Sequence, residues 1–198
     1  MLTSITPLGE RGRGNRWRTT SAWLTAGHVL GGAALGMALA GAGALAALLR
    51  LDPVPPASTV IAGAAVLGCA AFDLSGHRIP GRRQVDERWL GRYRGWVYGL
   101  GFGVQLGFGF VTVVNTALLV AVCVAGVLLG ATEALLVGVV YGAARGLSAT
   151  VTGRIRDTAS LRRMHRHLDR LERPVRWGAA MALAVLALAT MAGGLIVA

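Results

Sequence analysis

Chemistry needs polar side chains held at a fixed spacing, and this chain offers few. Gln105, Thr112, Asn115 and Thr116 interrupt the otherwise apolar stretch 95-GWVYGLGFGVQLGFGFVTVVNTA-117. On a helix, Tyr98, Gln105, Thr112 and Thr116 recur at spacings of seven, seven and four and share one face. Asn115 lies beside them. Polar groups in an apolar medium are costly, so they mark either helix–helix hydrogen bonds or the lining of a solute path. His28, one turn into the first apolar segment, could relay protons or simply meet headgroups and water. These five residues, Gln105, Thr112, Asn115, Thr116 and His28, form the candidate substrate-binding set.

The remaining reactive side chains carry less. Cys69 and Cys123 could form a redox pair across two segments. No neighbouring charge lowers either thiol pKa, and free cysteine also serves as a small apolar residue. Asp73 and Glu133 stand at segment ends, where solvation is the simplest reading. His77, His165 and His167 lie in basic stretches without metal-ligand spacing. No nucleophile elbow, phosphate loop, zincin motif or carboxylate pair is present, and Gly99-x-Gly101-x-Gly103 lacks the strand–helix unit of a nucleotide fingerprint. The expectation is a non-enzyme with no cofactor and no metal.

The elements that hold these residues follow from composition. The chain is 54% hydrophobic and only 15% charged, with a mean hydropathy of +0.58; soluble domains carry about 25% charge. The charges are segregated. Residues 95–144 hold one charged side chain, Glu133, and 177–198 hold none. This predicts an all-α, polytopic membrane helix bundle. All 20 basic residues are arginine. They flank apolar segments, as the positive-inside rule requires, and form no aromatic-interleaved domain for nucleic acid. The expected location is the inner (plasma) membrane of a bacterium, multi-pass, with the N-terminus cytoplasmic.

Along the chain, residues 1–21 read as a basic flexible arm. Spans are expected at about 22–49, 57–74, 95–113, 115–129, 133–150 and 177–198, the 22–150 portion forming the bundle. An Arg-rich loop fills 75–94, with interfacial Trp89, Tyr93, Trp96 and Tyr98. Residues 151–176 read as a basic amphipathic surface helix. Its apolar stripe is Leu161, Met164, Leu168, Leu171 and Val175, and Pro174 is expected to end it. The number of crossings stays at five or six. Breaks at 115–116 and 130–133 divide 95–150 into three helices, which favours six. Placing every Arg-rich segment on one side needs an even number of crossings between 75–94 and 154–176. That favours five, with 95–129 a single broken element.

The glycines have a separate purpose. Gly95, Gly99, Gly103 and Gly107 fall every fourth residue, and the first span repeats the device with Gly27 and Gly31. Lipid tails are as apolar as leucine, so helices in a bilayer associate through close backbone approach, which small residues permit. The two glycine faces are expected to pack together. They are also the surfaces through which other membrane proteins, or further copies in a homo-oligomer, would bind.

The stretch Gly99-LGFGVQLGFGFVTVVNTALL-119 through Tyr141-GAARGL-147 resembles the cytochrome c biogenesis and thiol-disulfide interchange (DsbD-type) transmembrane proteins. The resemblance covers about fifty residues and rests on glycine spacing and segment order. It implies two three-helix units, each with a broken first helix. Where that family has Pro-Cys at the break, this chain has apolar, Thr and Asn residues near 111–116, so the resemblance implies a solute-passing scaffold and no catalytic residue. The leading functional expectation is therefore transporter-like passage of a small solute or reducing equivalent through the polar intramembrane site. The alternative is a non-catalytic assembly subunit of a membrane protein complex.

Overall fold

A computed structural model describes residues 5–50, 57–76, 86, 88–109, 117–128 and 130–196. The regular elements among the described residues are all helices, in the order α1 (Pro7–Gly12), α2 (Trp17–Leu48), α3 (Ala57–Leu74), α4 (Trp89–Arg92), α5 (Gly95–Phe108), α6 (Leu118–Leu128), α7 (Ala131–Thr150), a 3-10 turn (Val151–Arg154) and α8 (Thr158–Ile196). Among the described residues, four helices are long and apolar enough to cross a membrane: α2, α3, α7 with the 3-10 turn, and α8. At about 1.5 Å per residue, the described parts of α5 and α6 are ~21 and ~16 Å long.

The chain divides into two compact units. The first comprises Met1–Leu35, Arg82–Thr112 and Val139–Leu171. Its core joins Ile5, Leu24, Tyr98 and Phe102, flanked by Trp17, Trp89, Leu90 and Leu106. Trp89 stacks on Phe102 with centroids 5.7 Å apart. The second comprises Gly36–Gly81, Val113–Gly138 and Glu172–Ala198. Its core is made of smaller side chains: Val66, Cys69, Ala117, Ala121 and Ala187, with Leu67 and Leu183.

Two sequence expectations about boundaries change. Residues 7–12 are helical and α2 begins at Trp17, both within the stretch expected as an N-terminal arm. The local reason is a helix start at Thr6-Pro7. The Thr6 hydroxyl accepts from the Gly9 N–H at 3.1 Å, and proline suits the first helical position. Pro174 does not end the basic helix either; α8 runs through it as one element of 39 residues. Proline removes one i→i−4 bond, to the Arg170 carbonyl, and strains the turn. The rest of the ladder on either side is enough to carry the helix past it.

Candidate functional site

Within the first unit, α2 and α5 pack backbone to backbone. A methyl group added at Gly103 would collide with the Leu24 carbonyl and stand 2.8 Å from Gly27 Cα. One at Gly99 would stand 2.8 Å from the Thr20 carbonyl, and one at Gly31 would meet the Val104 carbonyl. Gly95 faces Thr20 and Asn15. The sequence-expected glycine faces are thus occupied by one another, which leaves them closed to a partner.

His28 lies where these faces meet α7. Gly107 from α5 and Gly142 from α7 both approach the His28 carbonyl, and Gly146 approaches its Cβ. The side chain is 4% exposed. Its Nδ1 lies 2.7 Å from the Leu24 carbonyl, which can only accept, so Nδ1 carries a proton. Thr25, one turn earlier, donates to the Gly146 carbonyl at 3.4 Å. Four residues along α7, Arg145 donates to the Tyr141 hydroxyl at 2.9 Å, its guanidinium 5.5 Å from the Tyr141 ring centroid. An imidazole, a guanidinium, a phenol and a threonine hydroxyl are therefore gathered on α2 and α7.

A second polar cluster, which the sequence reading missed, ties α1 to α5. Glu10 is fully buried. Its Oε2 accepts from the Tyr98 hydroxyl at 2.6 Å and from Thr20 at 2.8 Å, and its Oε1 accepts from Arg13 at 2.6 Å. Asn15 donates to the Tyr98 hydroxyl at 3.2 Å. Burial by itself would lower the Arg13 pKa, but the bonds to Glu10 and Tyr98 outweigh it and hold the group above its ordinary value. From the 3-10 turn, Thr152 donates to the Ile5 carbonyl at 3.1 Å. The usable signal was local: Thr6-Pro7 opening a short helix that carries Glu10 and ends before Asn15.

The other expected site residues separate. Tyr98 is committed to Glu10. Gln105 is half-buried and joins neither cluster. Thr112, Asn115 and Thr116 lie outside the described residues, as does His77. Cys69 is buried, Cys123 half-buried, and both are free thiols. Glu133 is exposed, but Asp73 is not solvated as expected: it is fully buried in the second unit. Its Oδ1 accepts from the Ala117 N–H at 2.7 Å, at the start of α6. A carboxylate is favoured there because the first amides of a helix lack intrahelical acceptors. Asp73 Oδ2 is buried with no hydrogen-bond partner.

Comparison with protein-family models, curated proteins and solved structures finds no match to this chain.

Proposed function

We propose that the chain is a multi-pass membrane protein of the bacterial plasma membrane that passes a small polar solute, with its site at His28, Tyr141 and Arg145. The observation that carries this reading is the buried imidazole of His28, packed against the glycines of α5 and of α7, the helix that also carries Tyr141 and Arg145. Ionisable groups in spans are expensive and concentrate on solute and proton pathways. The glycines at 107, 142 and 146 allow α5 and α7 close against residue 28, so the polar groups are held on rigid backbone rather than on loops. The assembly-subunit alternative loses its expected surface, since the glycine faces are spent within the chain. The solute-passing role implied by the likeness to thiol-disulfide interchange proteins agrees with this reading.

The same reading takes five crossings, with the N-terminus cytoplasmic. α2, α3, α7 and α8 each cross once, and the stretch 95–129 is taken as one broken element that crosses once. Two crossings then separate the Arg-rich segments 75–94 and 154–176, which puts all three basic regions on one side.

The test is flux into proteoliposomes, with a panel of labelled amino acids, sugars and organic anions and an internal pH dye. Uptake of at least one probe is expected, and His28→Ala and Arg145→Gln should each abolish it while the protein elutes as folded. Undiminished uptake in both variants, or no uptake of any probe or proton by wild type, would overturn the proposal.

A further inference from the structure

The basic stretch that opens α8 gathers more charge than it pairs. The 3-10 turn before it is held in place. Thr152 donates to the Ile5 carbonyl at 3.1 Å, a methyl added at Gly153 would collide with the Trp17 ring, and Ile155 is buried. Arg154, at the end of that turn, lines a groove of about 620 Å³ with Arg163, Arg166 and Arg170 of α8. The last three are separated by steps of three and four and fall within an arc of about 60° on the helix. Ile155, Ser160, Met164 and His167 complete the lining, and every residue of the groove belongs to the first unit. Among the described residues no carboxylate is within ion-pair distance of Arg154, Arg163, Arg166 or Arg170. Asp157 is close enough for its charge to act on Arg163, but its Oδ1 is committed to the Ser160 N–H. Asp169 stands about 100–120° round the helix from Arg163 and Arg170. The Ser160 hydroxyl is committed as well, donating to the Asp157 carbonyl at 2.8 Å. Arg162 adds to the charge: with Arg163 and Arg166 it lines a second groove of about 380 Å³. Arg163 and Arg166 are common to the two.

We propose that the larger groove binds the phosphate of an anionic phospholipid headgroup. Four guanidiniums around one groove repel each other, and an anion from outside the chain relieves that repulsion. The guanidinium fork offers paired N–H donors that match two phosphate oxygens at once, so phosphate is the anion that arginine suits best. What lies beside the charge selects a lipid over a soluble phosphate. Met164 belongs both to the groove and to the apolar stripe of Leu161, Leu168 and Leu171, and Leu168 and Leu171 are 43% and 38% exposed. A molecule with a phosphate head and apolar tails meets both features, whereas free phosphate meets only the first. Basic pockets beside membrane spans recognise lipid headgroups in this way. General attraction of a basic segment to an anionic bilayer depends on how many arginines it carries. A headgroup site depends on which ones. The proposal needs membrane insertion but not solute passage.

Native mass spectrometry of the full chain in detergent tests it, with phosphatidylglycerol, phosphatidylcholine and inorganic phosphate as probes. The wild type should retain phosphatidylglycerol several-fold more than phosphatidylcholine. Arg163→Gln with Arg166→Gln should lower the phosphatidylglycerol-bound fraction about tenfold, as expected for two arginines lost beside an anionic lipid. Arg156→Gln with Arg173→Gln removes the same charge from the same basic stretch but outside both grooves, and should change that fraction by less than about twofold. All four side chains are exposed, so both variants should elute as the wild type does. An excess of inorganic phosphate should leave the lipid bound. No preference for phosphatidylglycerol in the wild type, equal loss in the two variants, or displacement of the lipid by inorganic phosphate would each overturn the proposal.

Discussion

Glu10 shows how much one side chain can organise. A buried carboxylate is costly unless its oxygens are paired, and here three donors converge on it from α1, α2 and α5. Tyr98→Phe removes one of them and leaves Glu10 short, which should cost about 1–3 kcal/mol. Glu10→Ala should cost as much or more, because Tyr98 and Thr20 both lose their acceptor in a buried site. Thermal melts in detergent check both, and a melt unchanged in either variant contradicts the lock. Asp157 gives a pH prediction. It caps α8 by accepting from the Ser160 N–H at 2.6 Å, and this bond, with the Ser160 hydroxyl, holds its carboxyl below the usual carboxylate range. A depressed folded value means the cap is fully present above the ordinary carboxylate pKa and is lost as pH falls through the lowered one. Amide exchange at Ser160 and Leu161 should therefore stay slow at neutral and mildly acid pH and accelerate only in stronger acid. Asp157→Ala should show the faster exchange at every pH.

At the scale of elements, the glycine spacing was legible because its physics is local. A helix with glycine every fourth residue exposes a strip of bare backbone, and the facing strip on α2 was visible in the sequence. Gly103→Leu should prevent native packing, since Leu24 and Gly27 backbone atoms occupy the space its Cβ needs. Overpacking of this kind costs at least about 1–3 kcal/mol, and here the obstacle is backbone that has no rotamer to yield. Loss of the monodisperse species on size exclusion is the expected result. Gly41→Ala, where nothing lies within 4 Å, is the control and should be neutral or slightly stabilising. Asp73 was not legible. Its partner Ala117 lies 44 residues away, and nothing local distinguishes a solvated aspartate from one that caps another helix.

For the whole molecule, the open question from sequence was the crossing number, and the five crossings proposed above can be tested. Cysteines placed at Ser75, Gly130 and Ser160 should label with an impermeant reagent so that 75 and 160 share one side and 130 lies on the other. Labelling of 75 and 160 from opposite sides would mean six crossings. The sequence by itself determined that the chain is helical, where the apolar helices lie, and which glycines form close-packing faces. Those properties depend on hydropathy and on a period of 3.6 residues, and both are read within one segment. It did not single out Glu10 or its lock on Tyr98, nor the helix over Pro7–Gly12 that carries it. Only the tertiary structure brought Glu10 to Tyr98, His28 to the glycines of α7, and Asp73 to the start of α6. A buried charge is stable only where distant parts of the chain supply its donors, and that pairing is a property of the fold rather than of any segment.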